Sequence, residues 1–403
     1  MNFFKNRFFN ALDKIDLSIW VYSGLLILLN VLTIRFGEIY FDRNTYENFV
    51  LIRRYSGFLI LIYSFGQNNI LRREILWNEI ELNSDSFNFI FIKRIFLSYV
   101  LTSCSSLFIF LITGFSVFGL GIFLMSIFLI NQIYITIFFR LQGRYNSLSF
   151  FILFTNIVFL ILIIALSDFV PSLSIVVIFQ VFLLLFFLGG ASQLKDVFQC
   201  VISDWRSNLK DIKRGMFRSV GDIASESSVV LIVFLASLQH GAKYGAEISI
   251  ILTINQLIST LFQPLTMKMF DDNISTKNKY KLNMIWYLRV LLFSLFVCFM
   301  AFVFRTIFFN FFVLETSKIN IVSYYCVVVF SLIYSLSILT KNLLDSCSND
   351  DGSIVFFIRV FPVLIFMIIL GFKINYNLVI PFVIYHLILF VLLSVEYNKK
   401  SKI

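Results

Sequence analysis

Charged side chains are scarce in this chain of 403 residues, because Asp, Glu, Lys and Arg together make up only 14% of it. Ordinary soluble domains carry about 25% charged residues. Hydrophobic residues reach 59% and aromatic residues 18%, so the polar groups are too few to cover a soluble globule. The composition excludes a soluble enzyme and predicts a polytopic membrane protein.

Histidine and cysteine are rare as well, with 2 and 5 residues. His240 and His386 leave few carriers for histidine-based catalysis, and a mid-span histidine such as His386 is more often hydrogen-bonded to a neighbouring helix than catalytic. The sequence has no Cys-x-x-Cys pair or His cluster of zinc-site spacing, and no nucleotide-binding Gly-x-x-x-x-Gly-Lys-Ser/Thr loop. We therefore predict a protein without a metal or a cofactor.

Long apolar stretches make up much of the sequence. A helix that spans a bilayer needs about 20 mainly apolar residues. The predicted fold class is accordingly all-α and integral to the membrane. Twelve stretches meet the criterion, at 15–34, 47–71, 95–113, 117–139, 148–166, 170–190, 219–238, 245–267, 284–304, 319–340, 354–372 and 376–395.

The basic residues fall mainly on one side of these twelve spans. With the N-terminus inside, cytoplasmic segments hold 23 of the 33 Lys and Arg residues and outer loops hold 6. This asymmetry predicts a multi-pass membrane protein with both termini in the cytoplasm. The net charge of +10 is therefore mostly an orientation signal, and we expect no nucleic-acid partner.

The longest loop, about 191–218, is basic and divides the chain into two halves of six spans. We predict an N-lobe at 1–195, a basic cytoplasmic linker at 196–218 that lies against anionic lipid, and a C-lobe at 219–403. Each half has a Gly-x-x-Tyr turn between its first two spans, at Gly37 and at Gly241. Such repeats occur in transporters that rock one half against the other.

Polar residues inside the spans form stripes along the first two helices of each half. Such residues are costly in lipid and often face a cavity, although they also hold helices together, so packing remains an alternative for each stripe. Arg54 lies about 100° around the helix from the span-two stripe. The stripes comprise Arg53, Ser56, Gly57, Ser64, Gln67 and Asn68 on span two; Ser249, Thr253, Gln256, Thr260 and Gln263 on span eight; Asp16, Ser23 and Asn30 on span one; and Ser219, Asp222, Ser225 and Glu226 on span seven.

Two groups of charges in these stripes have a second interpretation. Arg53 lies less than two turns from the predicted outer end of its span, so its side chain could snorkel to the surface. Asp222 and Glu226 lie near Arg214 and Arg218, and a surface ion pair is the alternative to a role in ion coupling.

The stretch from Phe36 to Glu74 resembles the N-terminal signature of polysaccharide (O-antigen type) flippases. These proteins form part of the multidrug/oligosaccharidyl-lipid/polysaccharide exporter superfamily. The stretch from Gly241 to Met269, with Pro264 near the end of its helix, is similar to the second-half counterpart of that signature. The resemblance implies two pseudo-symmetric six-helix lobes around a central cavity, lined by spans one, two, seven and eight.

A lipid-linked oligosaccharide offers a pyrophosphate, hydroxyl-rich sugars and an apolar polyprenyl tail. Arginine binds phosphate in a bidentate manner, whereas amides and hydroxyls suit sugars. The predicted partners are this glycan substrate, membrane lipids and other glycan-assembly proteins. The predicted site comprises Arg53, Arg54 and Lys243 for the headgroup, with Ser64, Gln67, Asn68, Thr253, Gln256 and Gln263 along its path, and Asp222, Glu226 and Glu247 as the candidates for ion coupling.

Three other functions compete with a flippase. A membrane-embedded glycan polymerase or ligase typically carries catalytic residues on a long outer loop, and the outer loops here are all short. A membrane acyltransferase needs a histidine with an acidic partner, and neither histidine has one close in sequence. A multidrug exporter of the same superfamily binds cationic drugs through acidic midplane residues, and this chain has arginines instead. We therefore predict a transporter and not an enzyme.

Overall fold

We describe the fold from a computed structural model of the chain. It covers residues 17–63, 71, 85–112, 116–141, 145–187, 205–255, 258, 284–311, 321–347, 352–373 and 379–400. These residues form the helices α1 (Leu17–Tyr40), α2 (Arg43–Tyr63), α3 (Asp85–Ile112), α4 (Val117–Leu141), α5 (Tyr145–Leu166), α6 (Phe169–Phe187), α7 (Trp205–His240), α8 (Ala242–Ile251), α9 (Met284–Val303), α10 (Arg305–Phe311), α11 (Ile321–Cys347), α12 (Gly352–Lys373) and α13 (Ile380–Lys400).

Each of the twelve predicted spans overlaps one helix of the described chain; the eighth overlaps only the ten-residue α8, and among the described helices α10 alone corresponds to no predicted span. The fold class is thus confirmed as all-α and integral to the membrane, with twelve transmembrane helices in two lobes. Three described segments are both long and apolar enough to cross a bilayer without interruption: Phe89–Ile112, Val117–Phe139 and Val322–Lys341.

The basic segment predicted as a linker is helical over much of its length. Helix α7 begins at Trp205 and runs for 36 residues to His240, so positions 205–218 continue directly into the seventh span. Residues 196–204 of the predicted linker lie outside the described part of the chain. The second half therefore begins on an uninterrupted helix.

Tight turns join the first two helices of each half. Asp42 lies between α1 and α2, and its carboxylate accepts hydrogen bonds from the Thr45 hydroxyl and from the backbone N–H groups of Asn44 and Thr45. These bonds favour the charged carboxylate and lower the pKa of Asp42. Asp42 thus caps the N-terminus of α2, and because its pKa is lowered, this stabilisation is present at neutral pH and is lost in acid.

The two Gly-x-x-Tyr motifs differ in their place within these turns. Gly241 forms the α7–α8 turn itself and has φ of +89°, a conformation that favours glycine. Gly37 instead lies in the last turn of α1, where a Cβ atom would lie 3.1 Å from the Phe49 ring. The first glycine permits close packing of α1 on α2, so the predicted equivalence of the two motifs holds for their location but not for their conformation.

Helix α4 lies at the centre of the N-lobe, where it contacts α2, α3, α5 and α6, while α1 packs on α5. In the C-lobe, α7 packs on α8 and α12, and α11 packs on α13 and α9. The two lobes meet where α2 contacts α7 and α8. This arrangement places α2, with its two adjacent arginines, at the boundary between the lobes.

Candidate functional site

A cavity of about 210 Å³ lies at this boundary. Helices α1, α2, α4 and α5 of the N-lobe form most of its wall, and α8 of the C-lobe closes one side. Apolar residues supply part of the lining. The polar side chains that line it are Asn30, Thr33, Arg53, Arg54, Gln132, Asn156 and Ser249.

Arg53 points into this cavity and does not snorkel to the surface. Helix α2 begins at Arg43, so Arg53 lies about 15 Å along it, almost three turns from its first residue. The guanidinium Nη2 donates to the Asn30 Oδ1 at 2.9 Å, and the guanidinium carbon lies 5.5 Å from the centre of the Phe49 ring. The Nη1 atom is buried and has no acceptor among the described residues. A cationic donor is therefore available to a ligand.

Arg54 lines the same cavity but connects the two lobes. Its Nε donates to the Ser249 Oγ at 3.1 Å, and its Nη2 donates to the Ser249 backbone carbonyl at 2.8 Å. The sequence analysis placed Arg54 off the span-two stripe and nevertheless assigned both arginines to the headgroup. The structure brings both to one cavity because Arg53 turns toward α1 while Arg54 turns toward α8.

Two amide side chains that the sequence analysis missed complete the polar lining. Gln132 is a residue of α4, and Asn156 is a residue of α5. Each is an isolated cavity residue in an otherwise apolar helix face, so neither belongs to a polar stripe. The only signal in the sequence was the cost of an amide in the middle of a long apolar run.

The lining is positive. Arg53 and Arg54 both contribute to it, and none of the described residues that line the cavity is Asp or Glu. Two guanidinium groups in a partly enclosed space attract an anion and repel a cation. Their fork of donors matches the oxygens of a phosphate or carboxylate group.

Three of the other predicted charged residues, Lys243, Glu247 and Glu226, do not line this cavity. Lys243 and Glu247 are one turn apart on α8 and form an ion pair with 4.0 Å between the Lys Nζ and the Glu Oε1. Glu226 of α7 accepts from the Lys341 ammonium of α11 at 3.3 Å, and Lys341 is buried. Glu226 thus lies in an ion pair within the C-lobe, although its partner differs from the arginines expected.

The remaining predicted site residues divide into two groups. The hydroxyl of Thr253 is buried and donates to the backbone carbonyl of Ile250, so it serves its own helix and does not line the cavity. Asp222 lies on α7, but its side chain is outside the described part of the structure. The same holds for the residues Ser64, Gln67, Asn68, Gln256 and Gln263, which lie outside the described residues altogether.

His386 is fully buried in the C-lobe between two hydroxyl groups. The Ser228 Oγ lies 2.6 Å from its Nε2, and the Ser337 Oγ lies 2.8 Å from its Nδ1. These bonds connect α13 to α7 and α11. The expected hydrogen-bonded role is therefore confirmed, and the histidine stabilises the packing of three helices.

Removing the Arg54 side chain is expected to loosen the contact between the lobes. Arg54→Ala loses both hydrogen bonds to Ser249, and bonds from a charged donor are worth about 1.5–3 kcal/mol each. We expect the ratio of separated to closed lobes to rise at least about tenfold. Spin labels are attached at cysteines that replace Asn44 and Ala242 in a protein without other cysteines, and electron spin resonance measures the distances between them. In Arg54→Ala the distribution of these distances should shift to longer values or become broader.

The matched control is Arg305→Ala, which removes an arginine of the C-lobe that lies over the Phe309 ring. Its distance distribution should equal that of the parent protein. An unchanged distribution for Arg54→Ala would contradict the assignment of Arg54 as a link between the lobes.

Comparison with solved structures places the fold among transporters. An outward-facing multidrug resistance MATE family transporter of the MOP superfamily matches with a TM-score of 0.64 and 14% identity, over 98% of this chain and 96% of that chain. A MATE protein in complex with MaD5 matches with a TM-score of 0.65 and 14% identity, over 96% of both chains. An inward-facing MATE transporter matches with a TM-score of 0.58 and 14% identity, over 95% and 99%.

At these identities the similarity establishes the fold alone. No protein-family model matches the sequence. No curated protein matches it significantly either. The shared two-lobe architecture occurs in both inward-facing and outward-facing conformations among the matched structures.

Proposed function

We propose that this protein is a transporter that moves a polyprenyl-pyrophosphate-linked oligosaccharide across the bacterial cytoplasmic membrane for the assembly of a surface polysaccharide. The two lobes alternate between inward-facing and outward-facing arrangements, as the matched transporters do. The protein acts on its substrate by binding and release and makes or breaks no covalent bond. Membrane lipids and other glycan-assembly proteins are its proposed partners.

The charge of the cavity carries this proposal. Arg53 and Arg54 line it together, the Arg53 Nη1 is buried without an acceptor among the described residues, and no described lining residue is acidic. A buried donor without a partner is costly, and an anionic ligand would remove that cost. A pyrophosphate supplies the acceptor oxygens that such a site needs.

The size of the cavity fits a headgroup rather than a whole glycolipid. Pockets for drug-sized ligands measure about 300–1,000 Å³, whereas this one encloses about 210 Å³. The volume of a phosphate group with an adjoining sugar is similar to that of the cavity, and the polyprenyl tail can remain in the bilayer. Longer glycans would extend beyond the enclosed part between the lobes.

A multidrug exporter is the principal alternative, because the matched structures include multidrug resistance transporters. A site for cationic drugs requires a negative or aromatic binding surface, and two arginines oppose that binding. The positive lining therefore favours an anionic substrate. A glycan polymerase or ligase finds less support, because the matched proteins are transporters.

The proposed orientation follows the distribution of basic residues. Both termini lie in the cytoplasm, since 23 of 33 Lys and Arg residues fall on that side. The α1–α2 and α7–α8 turns then face outward, and the Arg54–Ser249 contact joins the two lobes beside the cavity.

Deletion of the gene in its own host tests the proposed function. We expect one surface glycan to disappear while its lipid-linked precursor accumulates on the cytoplasmic leaflet, measured by glycan staining and mass spectrometry of extracted lipids. The parent gene should restore display. Intact surface glycan combined with increased sensitivity to cationic dyes would contradict the proposal and support the multidrug exporter.

A further inference from the structure

We propose that Gln132 and Asn156 form a sugar-binding wall in the same cavity as Arg53, so that the bound part of the substrate is a phosphate together with the sugar attached to it. The inference rests on the proposed function and adds the substrate group beyond the phosphate. It assigns a role to two residues that no sequence motif identified.

The two arginine side chains of the cavity offer donors only. Arg53 has the buried Nη1, and a guanidinium has no acceptor atom. The guanidinium groups can therefore bind phosphate oxygens, but they cannot accept a hydrogen bond from a hydroxyl group. A phosphate bound alone would need hydrogen-bond donors around all of its oxygens, and therefore donors on every side of the cavity.

The amide wall offers donors and acceptors together. The Gln132 Nε2 is buried and has no acceptor among the described residues. The Asn156 Nδ2 donates to the Ile152 carbonyl at 2.8 Å, and its Oδ1 is an atom that can accept a hydrogen bond. A sugar hydroxyl donates one hydrogen bond and accepts others, so it complements this wall.

Two aromatic rings flank the amides. Phe128 and Phe159 line the cavity, are nearly fully buried, and have ring centres 5.8 Å apart at an angle of 41°. A sugar ring has polar edges and apolar C–H faces. Amides beside fixed aromatic surfaces can therefore bind both parts of it, as polar groups on an apolar lining do in ligand sites generally.

A purely structural role accounts poorly for Gln132. Amides that stabilise helix packing are normally hydrogen-bonded when buried. Asn131, its neighbour in sequence, donates to the Gln180 Oε1 at 3.3 Å on α6 and so joins two helices, although its own Oδ1 has no partner among the described residues. Gln132 makes no such side-chain bond to another helix in the described chain, and it lines the cavity.

Binding of two lipids to the purified full-length protein tests the wall. The probes are farnesyl pyrophosphate and the same lipid carrying one N-acetylglucosamine, each measured by microscale thermophoresis. The variants are Gln132→Leu and Asn156→Leu, with Asn44→Leu on the exposed start of α2 as the matched amide control. Gln132→Leu removes an unpartnered buried donor, so its melting temperature should not fall.

We expect the parent protein to bind the sugar-bearing lipid more tightly, and each wall variant to reduce that preference by about tenfold. Asn44→Leu should retain the preference. An unchanged preference in both wall variants would overturn the sugar wall, and an equal loss for both lipids would assign the amides to the phosphate instead. Arg53→Ala should weaken the binding of both lipids. If Arg53→Ala bound both lipids as tightly as the parent protein does, that result would contradict the proposed function, whatever the wall variants do.

Discussion

Replacing Arg53 by Ala is expected to lower the affinity for a polyprenyl pyrophosphate by one to two orders of magnitude. The side chain lines the cavity and has one buried Nη1 without an acceptor in the described chain, so a pyrophosphate would be its missing partner. A hydrogen bond to a charged group contributes about 1.5–3 kcal/mol, and about 1.4 kcal/mol corresponds to tenfold in affinity. Microscale thermophoresis with farnesyl pyrophosphate measures the change.

Arg43→Ala is the matched control for this variant. Arg43 lies at the start of the same helix, and its side chain is 64% exposed in an ion pair with Glu47. Loss of an arginine there should leave the affinity within about twofold, because exposed ion pairs contribute little. Equal affinities for Arg53→Ala and Arg43→Ala would remove Arg53 from the site.

Filling the cavity from Gly57 is expected to block binding without unfolding the protein. Gly57 lines the cavity, and a Cβ atom built on it would meet nothing within 4 Å. Gly57→Leu therefore occupies ligand space rather than packed space. Because glycine weakens a helix by roughly 0.5–1 kcal/mol relative to alanine, the variant should melt at an equal or higher temperature.

We expect this variant to lose at least about tenfold in affinity for farnesyl pyrophosphate, comparable to the loss of one good contact. Gly24→Leu is the control, since Gly24 also faces open space but does not line the cavity. Binding by Gly57→Leu at the level of Gly24→Leu would show that the ligand occupies another place.

The helices and their division into lobes follow from hydropathy, because each span needs about 20 apolar residues and the basic residues mark the connections. Helix ends were less predictable. Helix α2 begins at Arg43, four residues before the predicted span, because Asp42 caps it. That shift removes the snorkelling alternative for Arg53 and agrees with its predicted place in the cavity.

The site was predictable mainly where polar residues repeat along one helix, and Arg54, which lies off the stripe of span two, was the exception. Arg53, Asn30 and Ser249 belong to such stripes and line the cavity. Gln132 and Asn156 were missed because they lie on helices outside the first two of each half, and their meeting depends on how α4 packs against α5. Lys243 instead forms an ion pair with Glu247 one turn along the same helix, which a count of positive charges alone does not reveal.

Reconstitution into liposomes tests the central claim most directly. The purified protein is inserted into vesicles that carry a fluorescent polyprenyl-pyrophosphate sugar lipid, and a membrane-impermeant quencher reports the lipid on the outer leaflet over time. The parent protein should move the lipid between leaflets, and vesicles with Arg53→Ala should approach the rate of empty vesicles. The claim that the protein transports this lipid would be contradicted if vesicles with the well-folded parent protein moved the lipid no faster than empty vesicles and instead transported a cationic dye.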